Sequence, residues 1–204
     1  MAAIPLFPLN TVLFPDGRLP LQIFEVRYLD MVRKCIAHSE EFGVVPLLEG
    51  EEVRKPGQHE ALGAVGTLAR IVEWSAPMPG LMQIQCLGTH RFRLLSAEQG
   101  RNGLWMGEVE RVDDDMAVPV PGEQQDVANA LGSVICALQH RHVSVEKMPM
   151  QAPYRLDESG WVANRWCELL HIATPQKQLL LAQDNPVLRL ELVQDLLSEA
   201  GLLS

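Results

Sequence analysis

Long apolar runs are missing from this chain: none exceeds five residues, against the roughly 18 needed to cross a bilayer. Met1-Ala2-Ala3-Ile4-Pro5 places no basic segment before an apolar one, so no secretory signal and a cytoplasmic location are expected. CxxC pairs are absent too. Cys35, Cys86, Cys136 and Cys167 stand 51, 50 and 31 residues apart, a spacing that in a reducing compartment means free thiols. Cys35 and Cys136 sit on apolar helical faces, where a thiol packs as a small hydrophobe. The one close histidine pair, His140 and His142, falls at the end of a predicted helix. It is short of the roughly three or four convergent ligands of a zinc centre, so no metal is expected.

Reactive motifs are equally scarce. There is no Gly-Lys dipeptide, which excludes a Walker-type phosphate loop, and neither GxGxxG nor GxSxG occurs. The four lysines, Lys34, Lys55, Lys147 and Lys177, lie in no setting that suggests a Ser-Lys dyad. Glu108 and Glu110 share a predicted strand face, and Glu51-Glu52 reads as a solvated loop, so neither pair is expected to do acid–base chemistry. No catalytic residue and no cofactor are therefore expected. Triads are assembled in space, so this search bears only on local patterns.

A basic surplus is also lacking. Lys and Arg number 17 against 26 Asp and Glu, a net charge of −9. Residues 1–117 carry −5 and residues 118–204 carry −4, so no cationic half is hidden and no nucleic-acid partner is expected. Of the 17 cations 13 are Arg, which suits bidentate pairing with carboxylates.

What is present is the material of a soluble fold. The 204 residues are 47% hydrophobic and 21% charged, enough chain to bury about 70% of its unfolded surface without a metal or disulfide. From Ile4 to about Val112 the pattern is that of strands. Ile4–Leu9 and Leu19–Phe24 are apolar but studded with proline, which places them at sheet edges or strand starts. Phe42–Leu48, Val65–Trp74 and Leu104–Val112 read as further strands. Met82, Ile84 and Cys86 alternate with Gln83 and Gln85. After Gly88 the alternation resumes as His90, Phe92, Leu94 against Arg91, Arg93, so that Gly88 marks a bulge or bend. Pro79-Gly80 fits a tight turn. One helix interrupts the strands, with Tyr28, Met31, Val32, Cys35 and Ile36 on one stripe and Gly43 expected to help end it.

From Glu123 the period becomes 3.6. Val127, Ala130, Leu131, Val134, Ile135 and Leu138 form one face. Asp157 can cap a second helix, and Thr174-Pro175 and Asn185-Pro186 open two more. Asp113–Gly122 reads as the linker. Strands followed by helices make an α+β fold, with one domain over 1–117 and a second over 118–204.

The amino-terminal block carries more than secondary structure. Leu6-Phe7-Pro8-Leu9, Val12-Leu13-Phe14-Pro15, Leu19-Pro20-Leu21 and Ile23-Phe24-Glu25-Val26-Arg27-Tyr28 follow one another in order. Phe42-Gly43-Val44-Val45, Val65-Gly66-Thr67-Leu68-Ala69-Arg70-Ile71, Gly88-Thr89-His90-Arg91-Phe92 and Gln176-Lys177-Gln178-Leu179-Leu180-Leu181 extend the series over nearly the whole chain. Together they resemble the amino-terminal, substrate-binding domain of the Lon ATP-dependent protease family. The resemblance implies a PUA-like pseudo-barrel followed by a helical bundle. It also implies a unit that engages unfolded or misfolded polypeptides. The chain ends at Ser204, where the ATPase module would begin, so the resemblance implies a stand-alone, non-enzymatic binding module. No catalytic residue maps onto it. A separate protease stands open as a second partner, and the number of copies is not fixed.

The candidate polypeptide-binding residues are Met78, Leu81 and Met82 at the Pro79-Gly80 turn, with Phe14 as a second locus. Methionine and leucine around a turn are adaptable apolar groups. Two readings of the turn stand side by side: a docking surface, or packing against the helical half. Phe14 likewise reads either as surface or as a plug of the barrel. Glu25 and Arg27 read as a structural pair at the strand-to-helix corner. Two other functions remain open: a small-molecule enzyme on a PUA-like fold, and an RNA module using Arg91 and Arg93 as a basic strip.

Overall fold

The computed structural model describes residues 3–50, 60–144 and 147–203. Glu51 and Glu52 lie outside the described residues. The chain divides into two compact units, Met1–Asp114 with Ala173–Gln178, and Asp115–Ile172 with Leu179–Ser204. The sequence suggests a single cut between 117 and 118.

Among the described residues the first unit is a seven-stranded sheet with one complete helix and the first residues of another. Its strands are β1 (Ile4–Leu9), β2 (Arg18–Ile23), β3 (Phe42–Glu49), β4 (Ala61–Leu62), β5 (Val65–Met78), β6 (Leu81–Gln99) and β7 (Trp105–Arg111), with α1 (Val26–His38) after β2. The hydrogen-bonded order is β1-β7-β6-β5-β3-β4, and β1 also pairs β3, so five strands close into a ring. That β1–β3 pairing is parallel and the other pairings are antiparallel. Of the two places its prolines suggest, β1 is not at a sheet edge, while Pro5 does lie at the strand start. Its pairing is staggered: Pro5 faces only β7, opposite Met106, and Pro8 faces only β3, opposite Val45. Each proline needs no donor on its unpaired side.

Successive residues of a strand point to opposite faces, and the core follows that alternation. Leu6, Val45 and Phe92 are fully buried on one face. Phe7, Val44, Ile84 and Cys86 lie in a second cluster with Tyr28, Met31, Val32 and Cys35 of α1. The predicted α1 stripe is thus the buried one. Its end differs from expectation: Ser39 takes the left-handed conformation (φ 55°), and the Glu40 amide donates to the Cys35 carbonyl. Gly43 lies inside β3 instead. At the other end Arg27 donates to Glu25 at 3.0 Å and to the Gly103 carbonyl at 2.7 Å, and its guanidinium lies 4.5 Å from the Tyr28 ring centroid. Tyr28 stacks on Phe7 with centroids 4.0 Å apart. The pair therefore holds the corner between β2 and α1.

β6 runs unbroken through Gly88, but its pairing with β5 shifts there, between Thr67 and Ala69. The glycine is required by a close approach. A Cβ at Gly88 would stand 2.2 Å from the Phe14 carbonyl oxygen. The Asp16 amide donates to the Gly88 carbonyl, and the Gly88 amide to the Gly17 carbonyl.

The second unit holds a short 3₁₀ turn (Gly122–Gln124), α2 (Gln125–His140), α3 (Ser159–Leu169) and α5 (Pro186–Glu199), together with the end of α4 (Thr174–Ala182). The predicted face of α2 is the inner one, but Cys136 is exposed, contrary to expectation. It follows Ile135 by one residue, which turns it about 100° away from the stripe. The α3 cap position is Glu158 rather than Asp157, with no side-chain cap bond. Asn185 caps α5 as expected, accepting from the Val187 and Leu188 amides. Thr174 does not cap; its hydroxyl donates to the Asn10 carbonyl at 2.6 Å. The expected linker is tied down as well. Ser159 donates to Val118 and Pro119 carbonyls, and Asp115 receives Arg189 at 2.5 and 3.1 Å. No helix among the described residues is long and apolar enough to cross a membrane.

Candidate functional site

The hairpin of β5 and β6 reaches beyond the ring. Among the described residues β3 pairs β5 only at Thr67–Ala69, and residues 70–78 extend with β6 as their one strand neighbour. β2 pairs the same stretch of β6 from its other side, from Leu87 to Met82. The result is a three-stranded arm, β5-β6-β2, whose tip is Met78-Pro79-Gly80-Leu81. Gly80 has φ 80°, and proline followed by such a glycine is the signature of a type II turn.

Opposed residues of an antiparallel pair share a face. Ile84 is buried against α1 and stands opposite Trp74 on β5 and Leu21 on β2. Trp74 therefore lies on the α1 face, yet 56% of it is exposed. Between Arg33, Ile36 and Ala37 of α1 and the hairpin runs a groove of about 560 Å³, lined mainly by apolar groups including Trp74, Met78 and Met82. On the other face Glu73 and Pro20 oppose Gln85, and Ser75 and Gln22 oppose Gln83. This side forms a shallow trough of about 530 Å³ with a glutamine floor. The trough also takes in Leu21, Trp74 and Ile84, so the second face of the arm is mixed.

The expected residues divide here. Met78 is 57% exposed and Leu81 half-buried, and both line the groove with Met82, which is itself buried. Phe14 is completely buried and presents nothing to a partner; its carbonyl packs against Gly88, and it does not line the groove. The basic strip also fails, because Arg91 is buried while Arg93 is exposed. Sequence reading missed Trp74, taking it as the last residue of a strand. No local pattern marks that β5 and β6 stay in ladder past Trp74 to the Pro79-Gly80 turn.

Arg33 brings a positive charge to the groove and donates to Asp30 at 3.4 Å. Burial pushes the Cys35 thiol up to about 11, with the Glu40 charge adding to it. Burial, with Cys35 nearby, pushes Cys86 up to about 12. Both are inert packing groups. Partial burial raises Asp114, but hydrogen bonds and charge from His90 and Arg111 outweigh it and hold the carboxyl below the usual range. Cys35, Cys86 and Asp114 line neither groove. Among the described residues no cluster of three or more His, Cys, Asp or Glu could hold a metal ion.

Comparison with known proteins places this architecture. The family model of the ATP-dependent protease La (LON) substrate-binding domain matches residues 3–199. A Lon protease of Anaeromyxobacter dehalogenans is 30% identical over 118 residues, covering 57% of this chain and 14% of the relative. Lon protease 2 of Myxococcus xanthus is 27% identical over 200 residues, 96% of this chain and 23% of the relative. The chain thus spans less than a quarter of these curated relatives. Among solved structures, a Lon N-terminal domain protein from Xanthomonas campestris has 31% identity and a TM-score of 0.77, covering 96% of this chain and 98% of that one. The N-terminal domain of a Mycobacterium avium complex Lon protease shares the fold, with a TM-score of 0.63 at 17% identity. The chain belongs to the family of the Lon substrate-binding domain.

Proposed function

We propose that this protein is a non-catalytic module that holds unfolded or misfolded polypeptides, and that the groove between α1 and the β5–β6 hairpin is where it holds them. The observation that carries the reading is the pair Trp74 and Met78, large apolar side chains more than half exposed on one face of a projecting arm. Single exposed apolar residues are ordinary, but a cluster lining a groove marks an interaction site. A methionine-bordered groove adapts to varied side chains, as a receptor for many sequences requires. Membership of a substrate-binding family supports the same reading.

In this reading the closed five-strand ring is a PUA-like pseudo-barrel, and the helices of the second unit form a bundle. Polypeptides held at the arm serve a protease, whether in the same chain or another. Titration of the protein with a reduced, carboxymethylated unfolded protein tests the reading. Binding is expected, and Trp74→Ala with Met78→Ser weakens it about tenfold or more, since each removes roughly 1.5 kcal/mol or more of apolar burial. No binding by the parent protein, or binding unmoved by both changes, contradicts it.

A further inference from the structure

Resting on that reading, we propose that the segment held between α1 and the β5–β6 hairpin carries a carboxylate, which Arg33 receives while its apolar neighbours fill the groove. Three observations carry this. First, the lining holds a single charge. Apart from Arg33 the described residues that line the groove are uncharged, Trp74, Met78 and Met82 among them. An apolar wall lowers the local dielectric, so a cation at its border attracts an anion more strongly there than in open water. Second, the present partner of Arg33 holds it weakly. Asp30, three residues back on α1, receives it at 3.4 Å, and both side chains are more than half exposed. Such surface pairs contribute little, and Asp30 is not itself part of the lining, so a carboxylate inside the groove replaces it on better terms. Third, the guanidinium chooses the sign and the shape of its partner. Its planar fork of donors matches a carboxylate, while a basic segment would bring like charge against it. A glutamate or aspartate side chain and a free chain end share that chemistry.

The test uses the intact protein and one short acetylated peptide of leucine, phenylalanine and serine, with the carboxymethylated unfolded protein as reference ligand. The peptide is made in three forms. The first is uncharged, with a glutamine at its centre and an amidated end. The second replaces that glutamine by glutamate, and the third keeps the glutamine and frees the terminal carboxyl. At least one charged form is expected to bind about fivefold more tightly than the neutral one, and which does so tells a side chain from a chain end. The net charge of −9 repels both charged forms at long range, so such a gain is local to the groove. Arg33→Gln removes the gain, whereas Trp74→Ala weakens all three forms. Asp30→Asn, which takes away the competing carboxylate, enlarges the gain by about twofold. Equal affinity of the three forms, or a gain that survives Arg33→Gln, overturns the carboxylate while leaving the groove reading intact. Binding of the unfolded protein without binding of any peptide does the same. Failure of every ligand overturns the proposed function itself.

Discussion

Cys136 shows how far a single residue can be read. Its neighbours Val134, Ile135 and Leu138 mark an apolar stripe, and the thiol stands just off it, exposed on α2. Cys35, Cys86 and Cys167 are buried. The thiolate is the reactive form, and burial with a pKa near 11 or 12 suppresses it at Cys35 and Cys86. One thiol in four is therefore expected to react rapidly with an aromatic disulfide reagent in the native protein, and Cys136→Ser removes that signal. Rapid reaction of two or more thiols contradicts the burial. Arg27 was the opposite case. Its sequence neighbour Glu25 already suggested a structural pair, and the bond to the Gly103 carbonyl, 76 residues away, was the part only the fold could supply.

At the scale of elements, period and punctuation fixed most of what was legible. The strands from Ile4 to Arg111 other than β4 and the far end of β5, the α1 stripe, the α2 face and the Asn185 cap follow from local pattern. What failed was non-local. β1 looked like an edge because stagger, which lets each proline face one partner only, has no signature in sequence. Of the two readings of Phe14, surface or plug, burial favours the plug, and nothing local says that Gly88 backs onto its carbonyl. That approach makes a prediction: Gly88→Ala forces backbone apart and costs about 1–3 kcal/mol or more, read as a lowered urea midpoint. An unchanged midpoint would mean that the Phe14–Gly17 turn gives way freely. Trp74 was hidden differently, because exposure along a strand depends on where its neighbour stops pairing, and β3 stops at Ala69.

At the scale of the whole molecule, each unit has its own anchor. In the second unit Arg189 is fully buried and donates to both Asp115 oxygens, to Asn164 at 3.0 Å, and to the Leu180 and Gln183 carbonyls. It realises the bidentate role that an arginine-rich composition suggested. Removing one partner of a buried pair strands the other, so Arg189→Met is expected to cost about 3–5 kcal/mol, with Asp115→Leu in the same chain recovering part of the loss. Additive losses in a denaturant cycle contradict that coupling. In the first unit the arm β5-β6-β2 stands on the closed ring and carries the groove. Methyl and indole NMR during titration with an unfolded protein tests whether polypeptides are held at that arm. The Met78 and Met82 methyl signals and the Trp74 indole signal are predicted to shift together with the bound fraction, while the methyl of Met116, exposed in the second unit, stays in place. A shift at Met116 with the three arm signals unmoved would put the polypeptide on the second unit and not on the arm.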